Sequence, residues 1–214
     1  MAITLTLIGI ILGVVTLDQI SKWVVVCNME LETEVIEIID GFFRLRYIQN
    51  SGMSFGLFGE EGQRWVFMIT SPIAIAAIGV YLFKFSQDKL PLKIGLAFIL
   101  GGGFSNMIDR IFYGESLLNG TAKLFDKTFF SELFDGRVVD MIDFYGVWNA
   151  IFNVADSFVC IGAALTICTL IYSIITDKIE EKKNQQKRAE ELNRKMAQGE
   201  DGVYLPDDEN GEAK

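Results

Sequence analysis

The chain has 214 residues, half of them hydrophobic, and its mean hydropathy of +0.32 is higher than that of an ordinary soluble domain. A formal net charge of −9 argues against a nucleic-acid-binding protein, because such proteins neutralise phosphates with lysine and arginine. Since the sequence contains no histidine, catalytic triads and metal sites built on histidine are excluded.

Four apolar blocks predict membrane-spanning helices. They cover about residues 2–26, 65–85, 92–112 and 153–176, and each is close to the ~20 residues needed to cross the hydrocarbon core. The first block has no basic stretch ahead of it and no small-residue cleavage site before Asp18, so we expect it to remain as an anchor. The predicted fold is therefore mainly α-helical, an integral membrane protein with four transmembrane helices.

The charges of the connecting segments predict the orientation of these helices. The short connection between the second and third blocks contains Lys84, Lys89 and Lys93. Segments 27–64 and 113–152 hold three basic residues each, against seven and six acidic ones. Because cytoplasmic loops are enriched in lysine and arginine, both termini are expected in the cytoplasm and both long loops outside it.

Each outer loop contains a predicted element. In the first, residues 34–50 are rich in β-branched and aromatic residues around Asp40-Gly41, a common hairpin turn pair, so we expect a small β-element there. In the second, phenylalanines at helical spacing predict an amphipathic helix over residues 121–135, lying on the outer membrane surface.

The charge pattern also predicts the domain organisation. Residues 1–176 are expected to form the four-helix membrane domain. Residues 177–214 are expected to form a charged cytoplasmic tail, helical to about Ala197 and then disordered. Within the membrane domain, the run Gly101-Gly102-Gly103 is expected to let another helix approach closely.

Charged and amide side chains are predicted to converge at one level of the membrane. Three helices carry such residues near their outer ends: Asp18 and Lys22 on the first, Asn106, Asp109 and Arg110 on the third, Asn153 and Asp156 on the fourth. Charges at this depth are costly unless they face a polar cavity or one another. The convergence favours a functional site, with an ion-pair cluster that only supports the fold as the alternative.

Further carboxylates end the second outer loop. Asp140 and Asp143 lie there, and Asp156 follows sixteen residues after Asp140. In a chain without histidine, a hydrolytic site at this place would depend on carboxylates. Two carboxyl groups that share one proton can act as general base and general acid on a water molecule.

At these residues the sequence resembles lipoprotein signal peptidases, the bacterial type II signal peptidases, which are aspartic proteases of the inner membrane. The resemblance covers roughly residues 5–176. Five motifs carry it in order: Asp18-Gln19-x-Ser21-Lys22, Asn50-x-Gly52-x-x-Phe55-Gly56, Gly101-Gly102 with Asn106-x-x-Asp109-Arg110, Val138-Val139-Asp140, and Phe152-Asn153-x-Ala155-Asp156-Ser157.

The resemblance implies the activity and the site. The activity would be removal of the signal peptide from diacylglyceryl-modified prolipoproteins, by cleavage just before the lipidated cysteine, near the outer leaflet of the bacterial cytoplasmic (inner) membrane. The catalytic pair would be Asp140 and Asp156, with no metal and no cofactor. Positions matching binding or supporting residues are Asp18, Lys22, Asn50, Gly52, Asn106, Asp109, Arg110 and Asn153. The expected partners are prolipoproteins and membrane lipids, and the chain is expected to be a monomer.

The sequence departs from the family pattern at three points, one of which is the charged tail after residue 176, which exceeds the usual ending. Ser105 stands where the family usually has glycine, and we expect it to crowd the site or to hydrogen-bond within it. The connection from Arg110 to Val138 is longer than usual because of the phenylalanine-rich run.

Three alternatives stay open at this point. Asp143 is the rival of Asp140 for the catalytic position, and is otherwise interpreted as a solvated loop carboxylate. A small ion- or proton-coupled transporter could use Asp18, Asp109 and Asp156 as a relay. A membrane assembly factor without catalytic activity is the third possibility, and it leaves the aligned carboxylates unexplained.

Overall fold

A computed structural model describes residues 2–50, 59–85 and 89–197. Gly52 and the end of the tail, predicted to be disordered, lie outside the described residues. The elements in chain order are α1 (Ala2–Asn28), β1 (Val35–Ile39), β2 (Phe43–Asn50), α2 (Gly59–Val80), a π-helical turn (Tyr81–Phe85), α3 (Leu90–Phe112), α4 (Glu115–Leu118), α5 (Lys127–Ser131), β3 (Val138–Asp143), β4 (Ile151–Phe152) and α6 (Val154–Ala197). The chain forms two compact units, residues 1–169 and 170–214, with the division inside α6.

The fold is mainly helical, as predicted. Among the described residues, three helices are long and apolar enough to cross a membrane, namely α1, α3 and α6. A shorter apolar helix covers Met68–Lys84 and contains Pro72, which α2 accommodates without a break. Proline in the first turn of α3 suits a helix start, because the amide hydrogen that it lacks has no partner in the helix.

Three consecutive glycines make α3 the central helix of the first unit. Successive helical residues point about 100° apart, so the three positions face three directions. A Cβ at Gly101 would lie 2.8 Å from Val14 of α1, and one at Gly102 would lie 2.5 Å from the Ala155 carbonyl of α6. A Cβ at Gly103 would approach Ile75 of α2 to 3.2 Å. The close helix approach predicted for this run is therefore made to three neighbours.

The strands form one antiparallel sheet in the order β1-β2-β3-β4. The predicted hairpin is present as β1 and β2, and Gly41 adopts the positive φ of 67° that a tight turn favours in glycine. The sheet is larger than predicted, because β2 also pairs with β3, which places Ile48 opposite Asp140. The hairpin thus helps to position the strand that carries a candidate site residue.

The prediction of one helix over residues 121–135 is wrong. The structure has only the five-residue α5 in this segment, and positive φ angles of 67° at Phe125 and 69° at Phe134 interrupt helical geometry on both sides. Phe129 is buried and packs in a core cluster that includes Tyr113 and Val139. The segment is therefore a folded loop in which the Phe129 ring enters the core, and its phenylalanines do not form one face of an amphipathic helix.

Candidate active site

Asp140 and Asp156 meet through one amide side chain, that of Asn153. Asp140 lies in the buried strand β3, and Asp156 lies in the first turn of α6. The Asn153 amide donates from Nδ2 to Asp140 Oδ1 at 2.8 Å, and its Oδ1 accepts the backbone N–H of Asp156 at 2.9 Å. The structure thus brings together the two aspartates that the sequence motifs selected.

The position of Asp156 follows from the way α6 begins. Asn153 caps the helix through its bond from the Asp156 N–H, and the Asp156 carboxylate accepts the Asn153 backbone N–H at 3.2 Å. This reciprocal pair is the arrangement of a capping box, with acidic and amide side chains three residues apart. The other Asp156 oxygen accepts the Asn106 amide at 2.8 Å, so the carboxylate is held on both sides.

Asp140 is buried, with 2% of its surface exposed, and both of its oxygens accept amide hydrogens. Asn50 donates to Oδ2 at 2.8 Å, opposite the bond from Asn153 to Oδ1. The pKa of Asp140 is raised to about 7, chiefly by burial and also by the nearby charge of Asp156, although the hydrogen bonds from the two amides oppose the rise. A carboxyl group of this kind keeps a proton up to near-neutral pH.

Lys22 is the centre of a fully buried charge network beside this pair. Its ammonium group lies 2.6 Å from a carboxylate oxygen of Asp18 and 2.6 Å from one of Asp109, and all three side chains are inaccessible to solvent. It also donates to Asn106 Oδ1 at 2.9 Å, which links the network to the amides of the site. Because buried charges are costly without partners, the network needs all three members.

The two carboxylates paired with Lys22 reach the backbone next to Asp140 and Asp156. Asp18 accepts the N–H of Ala155, the residue before Asp156, at 2.7 Å. Asp109 accepts the N–H of Val139, the residue before Asp140, at a longer 3.4 Å. The network therefore connects α1 and α3 to the backbone beside Asp156 and Asp140. These bonds explain why Asp18, Lys22 and Asp109 lie together near the site.

Side chains outside the predicted set complete the network. Ser105 donates to Asp18 Oδ2 at 2.7 Å, which confirms the expected hydrogen bond. Gln19 donates to Asp109 Oδ1 at 2.7 Å and accepts from the Tyr113 hydroxyl at 2.5 Å. Burial raises the pKa of Tyr113, which keeps the hydroxyl protonated as a donor. Gln19 stands in the first motif, whereas no sequence signal pointed to Tyr113.

A cavity of about 330 Å³ opens beside Asp156. Its walls are mostly apolar, and its lining also includes the polar side chains of Ser71, Asn106, Arg110 and Asp156. The apolar wall comes from α2, α3 and α6, through residues such as Ile75, Ile99 and Val159. The cavity has the composition of a site for a mainly apolar ligand that presents one polar group to be acted upon.

Asp143 is not the solvated loop carboxylate that the sequence suggested. It ends β3, is buried, and its Oδ2 accepts a hydrogen bond from Arg44 Nε of β2 at 2.6 Å. The Arg44 guanidinium also lies 3.9 Å from the centre of the Tyr145 ring. The register explains the difference, because Arg44 and Asp143 are paired across the two strands.

The predicted site residues within the described chain are gathered around one point, with Arg110 in the cavity lining and Asn50 on Asp140. The position of Gly52 is outside the described residues. In residues 2–50, 59–85 and 89–197, no group of three cysteine or carboxylate side chains is arranged as a metal site would require.

Comparison with known proteins gives consistent matches along the helical part of the chain. The family model described as "Signal peptidase (SPase) II" matches residues 10–172. The chain is 36% identical over 160 residues to the lipoprotein signal peptidase of Fusobacterium nucleatum, covering 73% of this chain and 80% of that protein. It is 34% identical over 171 residues to the lipoprotein signal peptidase of Symbiobacterium thermophilum, covering 77% of this chain and 95% of that protein. A solved bacterial membrane enzyme superposes with a TM-score of 0.60 at 26% identity, covering 79% of this chain and 89% of that one.

Proposed function

The chain belongs to the signal peptidase II family, and from this premise we propose that it removes the signal peptide from diacylglyceryl-modified prolipoproteins. It cleaves just before the lipidated cysteine and acts as an aspartic endopeptidase through Asp140 and Asp156. The observation that carries the assignment is Asn153, which bonds to the carboxylate of one aspartate and to the backbone of the other beside a mainly apolar cavity.

The reaction needs one proton shared between the two carboxyl groups. The ionised carboxylate takes a proton from a water molecule, whose oxygen bonds to the carbonyl carbon of the scissile peptide. The protonated carboxyl donates a hydrogen bond to the carbonyl oxygen and stabilises the tetrahedral intermediate. When the C–N bond breaks, the leaving amine takes a proton from the pair. Burial of Asp140 supports this scheme, because it keeps the pair singly protonated near neutral pH.

The remaining polar residues hold and orient the reacting groups. Asn50, Asn106 and Asn153 fix the carboxylates. Asp18 and Asp109 fix the backbone next to them, and Lys22 holds these two carboxylates in place. Arg110, in the cavity lining, is placed to bind a carbonyl or ester oxygen of the substrate. We propose that the enzyme acts as a monomer.

We place the enzyme in the bacterial cytoplasmic membrane with four helices across it and both termini in the cytoplasm. The apolar helices α1, α3 and α6 and the shorter apolar stretch Met68–Lys84 supply the four crossings. The basic connection between α2 and α3 supports a cytoplasmic location for that loop. Asp140 and Asp156 then lie near the outer leaflet, where a lipid-linked cysteine would also lie.

Cleavage of a defined precursor tests the proposal. The purified chain in liposomes should cut a diacylglyceryl-modified prolipoprotein, and mass spectrometry should find the new N-terminus at the lipidated cysteine. The same precursor without the lipid should be cut much more slowly, because it lacks the anchor that concentrates it at the site. Absence of any cleavage by folded protein would favour the transporter or the assembly factor.

The pH dependence of cleavage should report the shared proton. Activity should rise as the first carboxyl ionises and fall as the pair loses its remaining proton near pH 7, since burial raises the pKa of Asp140 to about 7. Measurement of kcat from pH 4 to 9, on protein that remains folded, checks this pH dependence of activity. A value of kcat that stays constant through pH 9 would contradict the shared-proton mechanism. The same raised pKa also affects stability. Folded Asp140 holds its proton above pH ~4, where the unfolded carboxyl ionises, so its contribution to the free energy of unfolding is lost as pH rises to about 7.

A further inference from the structure

Exposed apolar side chains cluster in the segment between α4 and β3. We call Leu124, Phe125, Phe130 and Phe134 the phenylalanine patch, and each of these side chains is more than half exposed. A concentration of large apolar side chains in one short segment marks an interaction surface. The proposed reaction makes no use of these four residues.

The patch is fixed to the last turn of α3. The backbone N–H of Phe134 donates to the Ile111 carbonyl at 2.9 Å, and the N–H of Gly136 donates to the Arg110 carbonyl at 3.0 Å. The ring of Phe112, the last residue of α3, stacks on Phe129 with centroids 6.4 Å apart. The patch therefore lies where an apolar helix that crosses the membrane would end.

The backbone holds the rings outward at a cost. Phe125 and Phe134 have φ angles of 67° and 69°, a region that bulky side chains rarely adopt. Between them, the Asp126 carboxylate accepts the backbone N–H groups of Lys123 and Phe129, each at 2.7 Å, and fixes the turn. An ordered turn that keeps phenyl rings in an unfavourable conformation and out of the core indicates that the rings have a partner outside this unit.

The charges beside the patch indicate which partner this is. Lys123 directly precedes Leu124 and Lys127 stands two positions after Phe125, and both lysines are exposed, while Asp126, Glu132 and Asp135 lie in the same segment. Apolar rings interleaved with charged side chains are typical of segments at a membrane surface, where the rings enter the acyl region and the charged groups stay among the headgroups. The exposed face of Phe112 continues the patch onto the apolar helix α3.

We propose that the phenylalanine patch inserts into the lipid leaflet around the end of α3, with Lys123 and Lys127 at the headgroups. The inference depends on α3 crossing the membrane and is independent of the roles given to Asp140 and Asp156. Phe129 turns inward from the same segment and packs in the cluster that contains Val139. Lipid contact would therefore also brace the strand that carries Asp140.

Spin labelling of the full chain in liposomes tests the insertion. Cys27, Cys160 and Cys168 are replaced by alanine, and a spin label is attached to Phe130→Cys in vesicles of phosphatidylethanolamine and phosphatidylglycerol. The matched control is the neighbouring exposed position, Ser131→Cys. We expect the ratio of collisions with oxygen, which concentrates in lipid, to collisions with a water-soluble nickel chelate to be several-fold higher at position 130.

Two results would overturn the proposal. Equal ratios at the two positions would mean that the patch faces water. Protection of position 130 from both reagents would mean that it faces protein, such as a second copy or the substrate. Should the Phe130 variant fail to fold, Phe125→Cys with Thr121→Cys as its control gives the same comparison, since both of these positions are also exposed.

Discussion

Asp140→Asn and Asp156→Asn should each lower kcat for cleavage of a lipidated precursor by at least ~10³-fold, as loss of a catalytic group does in other proteases. An asparagine keeps the size of the side chain but can neither take the proton of water nor protonate the leaving amine. Burial of Asp140 and the shared contacts of Asn153 support the proposal that the two aspartates act as one catalytic unit. The double variant should therefore be scarcely less active than either single variant.

Two controls separate chemistry from folding in these variants. Thermal unfolding should remain cooperative, because an amide buries no charge and Asp140→Asn loses only one of the two hydrogen bonds that the carboxyl accepts. Binding of a lipidated precursor should persist, since the lipid and the apolar signal helix supply most of the contact area. If the effects of the two substitutions multiply, the aspartates do not act as one unit.

Lys22→Met should produce the largest loss of stability among single substitutions in the site. Lys22 is fully buried between Asp18 and Asp109, at 2.6 Å from each. Removing one member of a buried ion pair leaves uncompensated charge and costs about 3–5 kcal/mol of unfolding free energy. The melting temperature of the purified protein should fall by roughly 6–20 °C, using the usual dependence for a chain of this size.

A charge-balanced variant is the matched control for Lys22→Met. Adding Asp18→Asn and Asp109→Asn removes the two carboxylates that were paired with the lysine, so the triple variant should recover part of the lost melting temperature. The triple variant should be inactive, because the bonds from Asp18 and Asp109 to the backbone beside Asp156 and Asp140 are altered. A triple variant no more stable than Lys22→Met would show that buried charge is not the cause.

The helices and the hairpin could be predicted because their signals are local. Uncharged blocks mark α1, α3 and the first part of α6, and Asp40-Gly41 marks the turn between β1 and β2. The pairing of β2 with β3 has no local signal, because the partners are about ninety residues apart and β3 is buried along most of its length. A strand buried on both faces lacks the alternation that identifies a half-exposed one.

The phenylalanine-rich segment shows how a periodic pattern can mislead. The rings fall at helical spacing, yet Phe129 enters the core and Phe125 and Phe134 adopt left-handed backbone angles. The spacing of residues in the sequence does not predict these tertiary contacts, and such contacts decide the conformation of a short segment.

For the candidate site, motif positions identified the members but not the connections between them. Asn153 could be assigned to the site, whereas its capping of α6 and its bond to Asp140 needed coordinates. Tyr113 lies just beyond α3 in no motif, and only the fold brings its hydroxyl to Gln19. The ion pair of Asp143 with Arg44 likewise depends on the strand register.

The most direct test of the central claim compares Asp140→Asn with Asp143→Asn in one cleavage assay. The two residues lie three positions apart on β3 and both are buried, so the substitutions are matched in chemistry and in setting. Asp143 binds Arg44, and its substitution should cost about 1–3 kcal/mol of stability while kcat stays within about threefold, which is under ~1 kcal/mol on the barrier. Asp140→Asn should be inactive. An inactive Asp143→Asn beside an active Asp140→Asn would contradict the assignment, and full activity of both would contradict the role of this strand in catalysis.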